Sequence, residues 1–360
     1  MAHLFAPLAL RSVSLANRIG IPPMCQYSAT DGFASDWHFV HYGSRAVGGA
    51  GLMIMEATAV VPEGRISPAD LGLWDDRQVE ALARIVRFAR EHGCIPAVQL
   101  AHAGRKASVG LGWQAQRSLP PGEGGWPTVA PSPIAFGEGY AKPQEMDAGA
   151  IDRVVGAFGA AARRALAAGF EVVEIHAAHG YLLHQFLSPL SNRRSDAYGG
   201  SFENRTRLVR QVVAAVRAEW PETLPLLIRV SATDWVEGGW NADETVLLCR
   251  QLRDLGIDLV DVSTAGLVPT AIIPAGPGFQ TEFAARIRKE AGVPTAAVGL
   301  ITSPAQADHI IRSGQADMVL LGREILRNPY WPLTAAQELG QQAAWPKQYL
   351  RAAPQGSKER

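Results

Sequence analysis

Short apolar runs alternate with stretches of helical periodicity along the whole chain. The runs are continuous rather than alternating, which is typical of parallel strands covered on both faces. Eight runs are predicted as strands: NRIGIPPMC (17–25), GLMIMEATAV (51–60), IPAVQLAH (95–102), FEVVEIHAA (170–178), LPLLIRVSA (224–232), IDLVDVSTAG (257–266), VPTAAVGL (293–300) and ADMVLLGR (316–323).

The segments between these runs predict amphipathic helices. In 151–166 the apolar residues fall on one helical face. Ser303 followed by Pro304 indicates a helix start, and Asn241 indicates another. Three glycines mark predicted helix ends: Gly169, Gly256 and Gly314.

Eight strand–helix units predict an α/β protein, a closed (β/α)₈ TIM barrel formed by one domain over residues 1–360. No GxGxxG motif follows any strand, which argues against a doubly wound dinucleotide-binding fold. The longest irregular stretch, about 103–146, is rich in Gly and Pro. It follows the third strand, and we expect an extended loop near the barrel mouth.

Composition narrows the class of protein. The 34 basic and 34 acidic residues balance, so nothing favours nucleic acid or an anionic membrane as partner. Cys25, Cys94 and Cys249 lie far apart, which argues against a disulfide framework and a cysteine metal site and fits the cytoplasm. The start MAHLFAPLAL lacks a basic region, and no apolar stretch could span a bilayer.

Polar residues interrupt the predicted strands near their carboxyl ends. Barrel enzymes carry their active sites at that rim, so an active site is predicted there. In chain order the polar interruptions are Cys25, Gln26, Tyr27, Glu56, Thr58, Gln99, His102, Glu174, His176, His179, Tyr181, Arg229, Asp261, Ser263 and Arg323, and the last two strands also end in Gly299 and Gly322.

Several of these residues have plainer interpretations. His176 and His179 could be hydrogen-bonded core histidines or metal ligands, although a zinc site needs a third ligand and this HxxH is not the helical HExxH pair. Cys25 alone is more often a small buried apolar residue than a reactive thiol. Arg229 could pair with Asp261 or Glu174 inside the barrel.

The ends of the last two strands predict a phosphate site. Gly299 and Gly322 let backbone N–H groups approach a ligand, and Arg323 adds a positive charge. With Gln99 and Arg229 facing the barrel axis, this pattern predicts a phosphorylated planar cofactor over the mouth. An arginine beside its ring would stabilise the negative charge gained on reduction.

The chain as a whole resembles the old yellow enzyme family of FMN-dependent ene-reductases. A cysteine in PPMCQY is similar to the bacterial subclass that includes xenobiotic reductases and NADPH dehydrogenases. The segments that carry the resemblance are PPMCQYSA (22–29), EATAVVPEGRI (56–66), QLAHAGRKA (99–107), EIHAAHGYLLHQFLSPLSNRRSDAYGGSFENRTR (174–207), RVSA (229–232), AVGLI (297–301) and LGREILRNP (321–329).

The resemblance implies a tightly bound, non-covalent FMN and the residues that hold it. The flavin would meet the backbone at Pro23, Met24 and Ala57, the side chains of Gln99 and Arg229, Cys25 as a tuner of its redox potential, and Gly299, Gly322 and Arg323 at its phosphate.

The resemblance also implies a two-step reaction. NADPH, or NADH, reduces FMN, and N5 of the flavin then gives hydride to an α,β-unsaturated carbonyl or nitro compound. His176 and His179 would bind the substrate oxygen or a phenolic inhibitor, Tyr27 would be a further contact, and Tyr181 would donate the proton.

A homodimer or homotetramer is expected from the same resemblance, with the tail of about 340–360 at a subunit interface. Arg351 in QYLR is the candidate to enter a neighbouring site, although the following AAPQGSKER departs from the family pattern. The loop 108–128 also differs in length from compact relatives and is expected to shape substrate choice.

Overall fold

The computed structural model describes residues 3–359. Eight parallel strands close into a barrel in chain order, with the fifth strand paired to the sixth. The predicted fold class is therefore confirmed. The strands are β1 (Ile19–Ile21), β2 (Leu52–Ala59), β3 (Ile95–Ala101), β4 (Val172–Ala177), β5 (Leu226–Ser231), β6 (Leu259–Ser263), β7 (Thr295–Val298) and β8 (Met318–Leu320).

Helices follow every strand. The main ones are α1 (Asp36–Val47), α2 (Val79–Glu91), α3 (Ala148–Ala167), α4 (Arg207–Glu219), α5 (Ala242–Asp254), α6 (Thr281–Ala291), α7 (Pro304–Arg312) and α8 (Trp331–Glu338). Short α-helices span Leu182–Leu187, Phe202–Arg205 and Arg323–Arg327, and 3₁₀ turns span Pro62–Gly64, Asp76–Gln78, Gly104–Lys106, Pro121–Glu123 and Lys347–Ala352. No helix among residues 3–359 is both long and apolar enough to cross a membrane.

Local sequence signals explain where several elements begin and end. Asn241 and Ser303 cap α5 and α7 through their side-chain oxygens, as predicted. The helices α3, α5 and α7 each end just before the predicted glycine. The first strand is shorter than predicted: β1 ends at Ile21, because Pro22 and Pro23 have no N–H for the ladder.

The amino-terminal end of the barrel is closed by apolar packing. A hairpin of strands Leu8–Leu10 and Val13–Leu15 packs in one cluster with residues that begin the barrel strands, such as Leu52 and Val172. The carboxyl ends of the strands form the opposite mouth, where the polar residues lie.

The segment between β3 and α3 is the predicted long loop, which contains the 3₁₀ turns Gly104–Lys106 and Pro121–Glu123 and the paired two-residue strands Val129–Ala130 and Gln144–Glu145. Near its start, Arg105 donates to the carbonyl oxygen of Leu267, after β6, at 2.7 Å. This hydrogen bond fastens the loop across the mouth to the segment after β6. In the tail, the short strand Ala344–Trp345 pairs with Lys358–Glu359.

Candidate active site

A tight turn after β4 brings three predicted site residues together. His179 and Gly180 both have positive φ, 56° and 71°. A Cβ on Gly180 would lie 2.1 Å from the carbonyl oxygen of Gly266, so only glycine fits there. The ring centroids of His176 and His179 are 5.2 Å apart, and those of His176 and Tyr181 are 5.0 Å apart.

The backbone of this turn is held by buried side chains beneath it. The Gly180 N–H donates to His184 Nδ1 at 2.9 Å, and the Gly180 carbonyl accepts from Gln185 Nε2 at 2.7 Å. The His179 N–H donates to Ser231 Oγ at 2.9 Å. His184, Gln185 and Ser231 were not identified from the sequence, yet they fix where the catalytic candidates stand.

The two histidines are neutral at physiological pH. Burial, reinforced by the Arg229 charge, lowers the pKa of both His176 and His179 well below the usual value. His176 Nδ1 accepts from the Ala178 N–H at 3.3 Å, and His179 Nε2 lies 2.7 Å from Ser263 Oγ. One ring nitrogen on each histidine therefore remains for a ligand.

Tyr181 has a hydroxyl with no hydrogen-bond partner among residues 3–359. Burial raises its pKa well above the usual value, so the phenol keeps its proton. Lys106 Nζ lies 5.0 Å from the Tyr181 ring centroid and donates to the carbonyl oxygens of His179 at 2.8 Å and Gly266 at 3.0 Å. Burial lowers the pKa of Lys106 to about 8.

Lys106 was not singled out from the sequence as a site residue. The only available signal was its place in QLAHAGRKA, directly after β3. Its two acceptors are backbone carbonyls of distant loops, so no sequence spacing predicts the contact.

The segment after β1 forms another wall of the mouth. Pro23, Met24, Cys25 and Tyr27 are all half-buried there, and Cys25 is a free thiol whose pKa is raised by burial. The Tyr27 ring packs edge-on against Trp113 at 5.8 Å. Trp113 is 69% exposed. The loop 108–128 thus reaches the mouth through an aromatic contact.

Glu56 does not join the mouth, contrary to the sequence prediction. The register of β2 against β3 shifts between Met55 and Ala57, and this irregularity turns Glu56 towards α1. Its carboxylate accepts from Tyr42 Oη at 2.9 Å and from the Gln26 N–H at 2.8 Å. Glu56 therefore supports the segment after β1 from behind.

Gln99 and Arg229 lie buried below the mouth. Gln99 on β3 is paired in register with Ala57 on β2, and its Nε2 donates to Glu174 Oε1 at 2.8 Å. Arg229 Nε lies 2.9 Å from Asp261 Oδ2, so the arginine pairs with Asp261 rather than Glu174. No residue within 3–359 accepts a hydrogen bond from its guanidinium in good geometry.

The loops after β7 and β8 form a cavity of about 170 Å³ that includes Gly299, Gly322 and Arg323. A Cβ on Gly322 would meet only ordinary contacts, with the nearest atom, Met24 Sδ, at 3.8 Å. The protein's own packing therefore does not require glycine there, and the space suits a ligand. Arg323 is exposed and forms no ion pair within residues 3–359. This cradle and its spare cation fit a phosphate.

The structure also bears on the metal alternative for His176 and His179 and on the position of Arg351. Within residues 3–359, no group of three or more His, Cys, Asp or Glu side chains could hold a metal ion, so His176 and His179 lack a third ligand. Arg351 is exposed, in the turn Lys347–Ala352, and its side chain forms no hydrogen bond or ion pair within the described chain. Its neighbour Tyr349 contacts Tyr330 beside α8, with the two hydroxyls 3.4 Å apart.

A parallel barrel with a glycine-lined cavity after its last two strands and an arginine below its mouth is compatible with a flavin-dependent barrel oxidoreductase. The chain matches the profile of the NADH:flavin oxidoreductase / NADH oxidase family over residues 3–342, and it belongs to that family.

Individual relatives agree with this assignment. An NADPH dehydrogenase of Geobacillus thermodenitrificans is 49% identical over 97% of this chain and 98% of its own. Morphinone reductase in complex with tetrahydroNAD has a TM-score of 0.78 at 28% identity, covering 96% of this chain and 93% of its own. An old yellow enzyme homologue from Zymomonas mobilis has a TM-score of 0.78 at 26% identity, covering 98% and 99%.

The resemblance to the old yellow enzyme family is thereby confirmed. The protein is an enzyme, an FMN-dependent oxidoreductase that uses NAD(P)H. The guanidinium of Arg229, which lacks a well-aligned hydrogen-bond acceptor among the described residues, the cavity lined by Gly322 and the exposed Arg323 are features of its own structure that fit this cofactor.

Proposed function

We propose that this enzyme is an ene-reductase of the xenobiotic-reductase type. It uses NADPH or NADH to reduce the C=C bond of α,β-unsaturated carbonyl or nitro compounds. The chemistry that FMN supplies when bound is hydride transfer, first from the nicotinamide and then to the β-carbon of the acceptor. The clustering of His176, His179 and Tyr181 around one turn is the observation that carries this proposal.

The two histidines bind the substrate oxygen. Because both imidazoles are neutral, each can offer one N–H to a carbonyl, a nitro group or a phenolic inhibitor. Such hydrogen bonds strengthen as the oxygen gains negative charge, so they favour the transition state over the ground state. Tyr27 is a further contact to the substrate.

Tyr181 is the proton donor. Its hydroxyl is free of protein partners within the described residues, and its raised pKa keeps the proton in place until a strongly basic carbon is presented. The O–H bond of Tyr181 breaks as a C–H bond forms at the α-carbon. Lys106 beside the ring stabilises the negative charge that the phenol oxygen then carries.

The remaining predicted residues hold the cofactor. Arg229 and Gln99 would face the flavin ring, Cys25 would lie against it and tune its potential, and other residues would hold the ring edge and the phosphate. Those others are Pro23, Met24, Ala57, Gly299, Gly322 and Arg323.

We infer that the single domain works as a cytoplasmic homodimer or homotetramer. Trp37 and Val40 on α1 are 56% and 64% exposed, an unusual load of apolar surface for one helix. Among residues 3–359, the guanidinium of Arg351 in the tail has no partner. In an assembly, Arg351 reaches the neighbouring mouth and binds substrate there.

Product analysis under anaerobic conditions tests the activity. Enzyme reduced by NADPH deuterated at the transferred position is mixed with a cyclic enone. The proposal predicts a saturated ketone with deuterium at the β-carbon and solvent hydrogen at the α-carbon. The proposal is contradicted if the enone leaves the enzyme reduced although oxygen, admitted afterwards, reoxidises it.

A further inference from the structure

Two carboxyl groups lie buried directly beneath the proposed flavin position. Glu174 on β4 is in register with Gln99 on β3, and Asp261 on β6 is in register with Arg229 on β5. Both acidic side chains are fully buried. The proposed reaction uses neither of them.

The hydrogen bonds of this group are incomplete. Glu174 Oε1 accepts from Gln99, whereas Glu174 Oε2 has no partner, and neither oxygen of Asp261 has a well-aligned donor. Buried carboxylate oxygens are normally satisfied, so unpaired ones suggest a proton or an ordered water between the two groups.

The charges of the group do not balance if both acids are ionised. The side chains that face Glu174 are the neutral amide of Gln99 on β3, the cation of Arg229 on β5 and the carboxyl of Asp261 on β6. One cation would then face two anions in a closed space. Burial and the neighbouring acid raise the pKa of Glu174, and burial raises that of Asp261.

Geometry decides which of the two acids is neutral. Asp261 lies against the Arg229 guanidinium and is stabilised as the anion. Glu174 forms no ion pair with Arg229, and its one hydrogen bond comes from a neutral amide. Glu174 is therefore the group that keeps a proton.

We propose that Glu174 is a positioning residue that acts through Arg229. It holds a proton at neutral pH, so that Arg229 faces one anion rather than two and can stabilise the negative charge that bound FMN gains on reduction. The inference rests on the proposed place of FMN over Gln99 and Arg229.

Redox titration of the holoenzyme tests this role. The midpoint potential of bound FMN is measured for the wild type and Glu174→Gln from about pH 6 to about pH 10, a range that spans a raised carboxyl pKa. Once Glu174 is ionised in the oxidised enzyme, reduction must take up one more proton. The equilibrium constant for reduction of the wild type then falls by up to an additional factor of ten per pH unit. For two electrons, this lowers the midpoint potential by about 30 mV more per pH unit.

Glu174→Gln mimics the neutral acid and should lack that additional slope while keeping the wild-type potential at neutral pH. Identical pH profiles for the two proteins overturn the inference, as does a higher potential of the variant at neutral pH. Infrared spectroscopy of the wild type gives a test that needs no variant. A carboxylic-acid C=O band sensitive to deuterated water is expected at neutral pH, and its absence overturns the inference.

A double variant, Asp261→Asn with Glu174→Gln, separates this inference from the cofactor position. Asp261→Asn alone would let Glu174 ionise beside Arg229 in its place, so both acids are removed together. The double variant should have a higher potential than the wild type at every pH. If neither Glu174→Gln nor the double variant changes the potential at any pH, FMN does not lie over Arg229, and both the cofactor position and the inference fail. If only the double variant changes it, Glu174 alone loses its role.

Discussion

The turn after β4 and the cradle between β7 and β8 are built in opposite ways. The turn is complete within the protein, since both backbone polar groups of Gly180 are bonded to buried side chains. The cradle is incomplete, since Arg323 has no ion-pair partner in the described chain and Gly322 lines a cavity. We expect the turn to be organised before any ligand binds and the cradle to be completed by a ligand. Substitutions in the first should therefore change rates, and those in the second should change cofactor retention.

The largest effect is expected for Tyr181→Phe. Loss of the proton donor should slow alkene reduction by roughly 10²–10⁴-fold if protonation limits the rate. Reduction of the flavin by NADPH requires no proton from Tyr181 and should be nearly unchanged. Stopped-flow measurement of the two half-reactions separates them.

Tyr140→Phe is the matched control, because Tyr140 packs against the same apolar cluster as Tyr181. It should leave both half-reactions close to wild type. Equal losses of Tyr181→Phe in both half-reactions would remove Tyr181 from the acid role.

Arg323→Ala tests the cradle. Loss of a charge-assisted contact worth about 1.5–3 kcal/mol should weaken FMN binding by roughly 10–100-fold. Fluorescence titration of the apoprotein measures the Kd. Arg327 lines the same cavity but is ion-paired with Glu324, so Arg327→Ala should change the Kd less. Equal Kd values for Arg323→Ala and wild type would place the phosphate elsewhere.

The barrel could be predicted from the sequence because buried parallel strands consist of continuous apolar runs. All eight runs became strands, and the error at β1 came from reading through Pro22 and Pro23. The site was harder to predict. His176, His179 and Tyr181 were found because they interrupt an apolar strand and its turn, whereas Lys106 and His184 contact backbone groups whose positions depend on the folded turn. Their roles in catalysis and binding remain predictions.

His176→Ala sharpens the comparison within the turn. A phenolate bound by the two histidines should lose one charge-assisted hydrogen bond, and its affinity should fall about tenfold. The charge-transfer absorbance of phenol complexes measures this. One ring nitrogen of His179 lies beside Ser263, so only its other nitrogen can reach the phenol. The phenol affinity of His179→Ala should therefore be compared directly with that of His176→Ala. Unchanged phenol affinity in both variants would exclude the pair as the oxygen site.

The smallest predicted effect concerns pH. Lys106 is charged below its pKa of about 8 and loses that charge as the pH rises through it. Alkene reduction should then slow by roughly twofold to tenfold, as for loss of a cation–π contact of about 0.5–1.4 kcal/mol. Lys106→Arg should keep its rate above this pH, whereas Lys106→Met should be slow throughout. A Lys106→Met profile identical to wild type would show that the charge does not act on Tyr181.

A crystal structure of the FMN-loaded enzyme soaked with a phenol tests the central claim most directly. The account predicts the phosphate between Gly299 and Arg323, the flavin ring over Gln99 and Arg229, and the phenol oxygen within hydrogen-bonding distance of His176 and His179. A phosphate bound outside the β7–β8 cradle, or a phenol oxygen turned away from both imidazoles, would contradict it.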